Sequence, residues 1–155
     1  MGGTDGATGI VYTNGPPLVL EEAPIEYCST LDERYRYQCV FEFSGLGVHT
    51  HSTPEQIAEK LKQCTGGDFD EKLEGGCIQS VAAVGTQHEL ALRDAITFPP
   101  HILNLTDFQR RSYIIGAGTE MKQYLISGAD RDWRSFCANF TNQADVTLCH
   151  DIFDN

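Results

Sequence analysis

The placement of the cysteines constrains this chain more than any other feature. Cys28, Cys39, Cys64, Cys77, Cys137 and Cys149 fall into three local pairs, with 10, 12 and 11 intervening residues. An even number at regular spacing predicts a disulfide framework and therefore an oxidising compartment. Two alternatives stand beside it: buried free thiols, because a free cysteine packs as a small hydrophobe, and a metal site. Against metal, the chain contains no C-x-x-C, no C-x-x-C-H, no H-E-x-x-H and no H-x-x-E-H. Six cysteines admit fifteen pairings, of which the local one is the simplest.

Disulfides require a route out of the reducing cytosol. The chain starts MGGTDGATG, with neither a basic n-region nor an apolar h-region. The expectation is a mature form of a secreted or periplasmic protein, or a protein of the mitochondrial intermembrane space. The sequons at Asn104 and Asn139, each followed two residues later by threonine, are candidate glycosylation sites and fit a secretory route. The balance of 22 acidic against 11 basic side chains gives a net charge of -11. That charge repels phosphate backbones and anionic headgroups, which argues against nucleic acid as a partner. No run of about 18 apolar residues is present, so no transmembrane segment is expected.

Residues 1–27 hold five of the 15 glycines and three of the six prolines. They are read as an extended or flexible N-terminal arm, and 28–155 as the folded domain. Helix-start signatures then recur at Thr30-x-x-Glu33, Thr53-x-x-Gln56 with Pro54 behind the cap, Asp68-x-x-Glu71, Thr86-x-x-Glu89 and Thr106-x-x-Gln109. In each, a short side-chain oxygen can accept from a free backbone N–H while the later carboxylate or amide reaches back. Stops are read at Gly66-Gly67, Pro99-Pro100 and Gly128. About eight short helices result: 31–46, 54–64, 70–84, 87–97, 106–116, 119–127, 131–140 and 143–153. Ile57, Leu61 and Cys64 recur at helical spacing, as do Trp133, Phe136, Cys137 and Phe140. The run Val40, Phe41, Phe43 is also compatible with a buried strand, but the preceding cap favours helix.

An internal repeat organises these helices. Cys28 to Cys64 is 36 residues and Cys39 to Cys77 is 38. The stretch from Cys39 to Gly47 is echoed from Cys77 to Gly85 and, more faintly and without cysteines, from Arg110 to Gly118. The last pair has an open register, because Cys137 aligns either with Cys64 or with Cys39. Periods of this length belong to helical hairpins that stack, each too small to bury its own apolar face. The fold class expected is all-α: tandem helical hairpins in a solenoid-like array, stapled by disulfides. Glycines and alanines at Gly75, Gly76, Ala82, Ala83, Gly85, Gly116, Ala117 and Gly118 suggest close backbone approach, whereas Gly45, Gly47 and Gly118 are read first as helix terminators.

From residue 28 to 149 the chain resembles in outline cysteine-rich relatives of the tetratricopeptide repeats, best between Cys39 and Cys64, with Gly-Leu-Gly-Val ahead of a capped amphipathic helix ending in cysteine. The resemblance implies hairpins with a disulfide between successive helices. A second resemblance is to coiled-coil-helix-coiled-coil-helix proteins of the intermembrane space, although their paired cysteines have nine intervening residues. Both imply scaffolding, assembly or subunit roles.

Catalytic signatures are sparse. His49 and His51 are two apart in a polar loop and, with a cysteine or His150, form the best metal candidate, but a third ligand at diagnostic spacing is missing. His88 is read as a surface residue. Asp68, Asp70, Glu71 and Glu74 do not match a calcium loop and read as helix caps and a solvated face. The sequence therefore predicts a non-enzymatic, cofactor-free helical scaffold or protein-interaction module, an accessory subunit of a larger assembly. The alternative is a small-ligand-binding protein or enzyme with a pocket between hairpins lined by Tyr35, Tyr37, His49, His51 and Tyr113.

Overall fold

The computed structural model describes residues 3–5, 10–12, 17–20, 22–48, 53–92, 104–126 and 133–155. Six α-helices and one 3-10 helix form the body among these residues. They are α1 (Pro24–Ser29), α2 (Glu33–Phe43), α3 (Pro54–Thr65), α4 (Glu71–Leu92), α5 (Asp107–Ile126), the 3-10 helix Trp133–Asn139, and α6 (Gln143–Asp154). No helix among the described residues is long and apolar enough to cross a membrane.

The helix starts show which local signals prevail. Thr53 makes the full reciprocal cap with Gln56, at 3.2 and 2.8 Å, with Pro54 behind it. Thr106 does the same with Gln109, at 3.2 and 3.0 Å. At two other starts the cap lies two residues beyond the expected position. Asp32, not Thr30, caps α2 by accepting from the Arg34 N–H. The Thr30 hydroxyl instead donates back to the Tyr27 carbonyl at the end of α1. Asp70, not Asp68, accepts from the Lys72 N–H at 2.8 Å where α4 begins.

Eight expected helices become fewer because two pairs fuse. The segments 70–84 and 87–97 are joined in α4, and 106–116 and 119–127 in α5. Thr86, read as a helix start, is buried inside α4. Gly118, read first as a terminator, lies inside α5, as Gly85 lies inside α4. A Cβ on Gly85 would make ordinary contact with Ile57, and one on Gly118 would meet Ile152. Packing of Ile57 beside Gly85 and of Ile152 on Gly118 outweighs the roughly 1 kcal/mol intrinsic penalty of an interior glycine. Gly47 is a terminator as expected: it has φ +85° in the turn after α2. Of the other stops, Gly66 follows α3 directly, while Pro99-Pro100 and Gly128 lie outside the described residues.

Part of the N-terminal stretch read as an extended or flexible arm is described, and it carries strands. Three short strands, β1 (Gly3–Asp5), β2 (Ile10–Tyr12) and β3 (Leu18–Val19), form an antiparallel sheet in sequence order. Gly3 pairs with Tyr12 and Ile10 with Val19. Their β-branched and aromatic residues suit a pleated ladder. The helical body also begins before residue 28: Pro24 opens α1, and Ile25 and Tyr27 are buried.

The helices run in a definite order and sense. Tyr37 lies against Gly76, and Gly45 against Ser80 and Val84, so α2 and the turn after it run in the same direction as α4. Gly75 faces Phe108 and Ser112 while Gly116 meets Gln79, so α4 and α5 also run in the same direction. Arg110 reaches Asp145 and Gly118 reaches Ile152, which makes α5 and α6 parallel as well. The result is a row α2–α4–α5–α6. Helices α1 and α3 pack on its first members and on each other, and the 3-10 helix packs on α5 and α6. One continuous core of buried residues, among them Ile25, Val40, Leu61, Ile78, Val81, Ile114 and Met121, joins these elements.

Candidate functional site: disulfide staples and a groove along the fourth helix

All six cysteines form disulfides, in the local pairing Cys28–Cys39, Cys64–Cys77 and Cys137–Cys149. Their seats are alike. Cys39, Cys77 and Cys149 are each the seventh residue of the helix they occupy, counted from Glu33, Glu71 and Gln143. Cys28 and Cys64 are each the last residue but one of the preceding helix. Cys137 lies on the preceding 3-10 helix and is the first cysteine of its pair. All six are buried, so a partner thiol cannot reach the sulfurs without opening the core. Three intramolecular disulfides fit an oxidising compartment.

The second feature is a groove. Two hollows of about 350 and 450 Å³ share Gln79 and Ile115 and lie between α2 and α5 along α4. Along α4 the hollows are lined by Gly75, Gly76, Gln79 and Ala83, with the Phe108 and Tyr37 side chains packed onto Gly75 and Gly76. Tyr37 and Phe41, stacked with ring centroids 6.1 Å apart, form one wall, and Phe108 and Ile115 the other. Phe41 and Phe108 remain substantially exposed. At one end stand Lys72, whose ammonium lies 5.0 Å from the centre of the Tyr37 ring, and Arg111, together with Glu71. At the other stand Glu42 and Glu120. Partial burial raises the Glu120 carboxyl pKa above its usual value.

The groove keeps its shape because α4 and α5 are locked together at Gly116, where a Cβ would fall on the Gln79 carbonyl. On the far side of α5, a charge cluster ties α5 to α6. Arg110, largely buried, donates to the fully buried Asp145 and to Asp107 at 2.7 Å. The hydrogen bond to Asp145, and then that to Asp107, push the guanidinium pKa up. In the same way the Arg110 hydrogen bond holds the exposed Asp107 carboxyl below its ordinary range.

The remaining expected residues are scattered. Asn104 is exposed one turn before α5. Asn139 is exposed too, although its side-chain amide donates to the Phe136 carbonyl at 2.9 Å. His49 and His51 lie outside the described residues, as does the side chain of His88, and His150 is exposed on α6. Tyr35 points to solvent under Arg34, Tyr113 is buried in the core, and Tyr37 lines the groove. Of the ligand-pocket residues, then, the described structure places Tyr37 alone in a concave site. No group of three or more metal-ligating side chains occurs among the described residues. Gly75 and Gly76, expected as points of close approach, are approached by Phe108 and Tyr37, whereas the hollows beside them have no local signal in the sequence. Compared with known protein families, characterised proteins and solved structures, the chain matches none.

Proposed function

We propose that this protein is a non-catalytic, disulfide-stapled helical module that binds another protein, as an accessory subunit of a larger assembly in an oxidising compartment. The observation that carries this reading is the open apolar groove formed by a row of same-sense helices. Phe41 and Phe108, exposed along the hollows, suit contact with a second macromolecule, since exposed apolar patches mark interaction sites. The common seat of the three cysteine pairs and the parallel row support a tandem hairpin repeat read as a short solenoid, an architecture whose grooves serve binding. Buried sulfurs are inert to exchange and suit a structural role for the disulfides. The compartment is the extracellular space, a periplasm or the mitochondrial intermembrane space.

The test is isolation from the native source at native abundance, under non-reducing conditions, with the solution mass measured by light scattering. The expected result is a mass well above 17.1 kDa, with a second polypeptide in fixed ratio. A stable monomer without a co-purifying polypeptide refutes the reading.

A further inference from the structure

Resting on the oxidising-compartment part of that reading, we infer that Asn104 carries an N-linked glycan and that glycan transfer to Asn139 competes with closure of the Cys137–Cys149 disulfide. The chemistry is that of an Asn-x-Thr acceptor, present at Asn104-Leu105-Thr106 and Asn139-Phe140-Thr141. The asparagine Nδ2 attacks the anomeric carbon of an oligosaccharide held on a lipid pyrophosphate. An N–C bond forms as the C–O bond to the pyrophosphate breaks, the amide proton passes to a base of the transferase, and the lipid pyrophosphate leaves. No electrons are exchanged. Transfer needs the acceptor segment extended, with the amide and the threonine hydroxyl reaching the transferase together, and the fold treats the two segments differently.

Asn104 lies outside every cross-linked loop, because the disulfides span 28–39, 64–77 and 137–149. Its segment is held by non-covalent contacts alone, chiefly the cap that Thr106 makes with Gln109. Asn104 and Thr106 are both exposed ahead of α5, so a glycan there displaces no part of the core. Asn139 is the last residue of the 3-10 helix and sits inside the 137–149 loop. Its Nδ2, the attacking atom, donates to the Phe136 carbonyl at 2.9 Å. Phe140, the middle residue of the acceptor, is buried edge-to-face against Phe136, with ring centroids 5.4 Å apart, and its N–H donates to the Cys137 carbonyl at 3.3 Å. Closing the disulfide therefore fixes this segment in a turn that cannot be drawn out while the staple holds. Asn139 itself is exposed, so the exclusion works in one order only. A glycan placed first stands in solvent and leaves one N–H for the Phe136 carbonyl; a disulfide closed first withdraws the acceptor. Both reactions belong to a compartment that supplies an oxidant and a lipid-linked oligosaccharide, which favours the secreted alternative over the intermembrane space.

The experiment maps the protein from its native source after enzymatic release of N-glycans in heavy-oxygen water, which marks each formerly glycosylated asparagine as labelled aspartate. Asn104 should be occupied in nearly every chain and Asn139 in a smaller fraction. Variants of the full chain, passed through a eukaryotic secretory pathway, isolate the cause. Occupancy is read on the intracellular pool, so variants retained for misfolding still report. Asn104→Gln should remove one glycan's shift in gel mobility. Cys137→Ala with Cys149→Ala should raise occupancy at Asn139 toward that at Asn104, whereas Cys64→Ala with Cys77→Ala, which removes a staple elsewhere, should leave it unchanged. An unmodified Asn104 in native protein that holds all three disulfides overturns the site. Occupancy at Asn139 that ignores both cysteine pairs, or rises equally with either, overturns the competition. None of these results touches the partner reading, which falls when no polypeptide co-purifies.

Discussion

Gly116 in α5 and Gly85 in α4 are both helical glycines, and the same substitution at each should move stability in opposite directions. A Cβ at Gly116 would stand 2.8 Å from the Gln79 Cα and 3.0 Å from its carbonyl carbon, with the carbonyl oxygen closer still. These are backbone atoms within α4 that cannot rotate aside, so α4 and α5 must separate. Overpacking of a rigid neighbour costs about 1–3 kcal/mol, and the rigid contact places Gly116→Ala at the upper end. The gain in helix propensity, about 1 kcal/mol, offsets part of it. The net expectation is a loss of about 2 kcal/mol, or a fall in Tm of about 4–8 °C for a chain of this size. At Gly85 the nearest atom to a new Cβ is Ile57 Cδ1 at 3.5 Å, an ordinary contact with a flexible methyl. There the propensity gain stands alone, and Gly85→Ala should stabilise by about 1 kcal/mol. The assay is urea denaturation under non-reducing conditions, comparing midpoints at constant m-value. A Gly116→Ala variant as stable as the parent refutes the close approach of α4 and α5. A Gly85→Ala variant that loses as much as Gly116→Ala refutes the argument that the neighbour's rigidity decides the sign.

Asp145→Ala should cost about 3–5 kcal/mol, because it leaves Arg110 largely buried without its main partner; Asp107→Ala, at an exposed partner of the same arginine, should cost far less by the same urea titration. Glu120 gives a pH signature. Its folded pKa is raised above the unfolded value by burial, so its contribution to stability is full below the ordinary glutamate pKa and is lost as pH rises through the raised value. Glu120→Gln should therefore match the parent in acid and exceed it at neutral pH; parallel stability curves across that range would exclude the effect. Mass spectrometry of the unreduced protein should find no alkylatable thiol and the three local cross-linked peptides. Removing the Cys64–Cys77 pair by double alanine substitution should cost about 3 kcal/mol, as expected for a closed loop of this length.

The parts of the fold legible in the sequence were those fixed by neighbours within a few residues. Thr53 with Gln56 and Thr106 with Gln109 form caps from side chains three apart, and both are present. The same chemistry at Thr86 does not start a helix, because its side chain is enclosed by packing that the local pattern does not encode. Gly118 reads as a stop for the same reason: the Ile152 side chain that packs over it is 34 residues away in the chain. The strands Ile10–Tyr12 and Leu18–Val19 were missed because short runs gain order only through pairing with each other. The cysteine framework was legible in full except for its pairing and the register of Cys137. The groove was not, since its walls and floor come from three helices brought side by side. One clue is present: Arg110 and Asp145, Gly45 and Ser80, and Glu74 and Gln109 are each 35 residues apart, close to the cysteine spacing.

The seats of the three disulfides have a mechanical consequence. Each covalent cross-link closes a loop within one pair of neighbouring elements, and none joins one pair to the next. Cohesion along the row rests instead on non-covalent contacts such as Gly45 on Val84, Gly116 on Gln79 and Arg110 on Asp145. A pulling force applied to the chain ends would part these seams first, leaving stapled hairpins as beads on a string. The row can thus flex or be pried open at a seam, and close again, with every sulfur–sulfur bond intact.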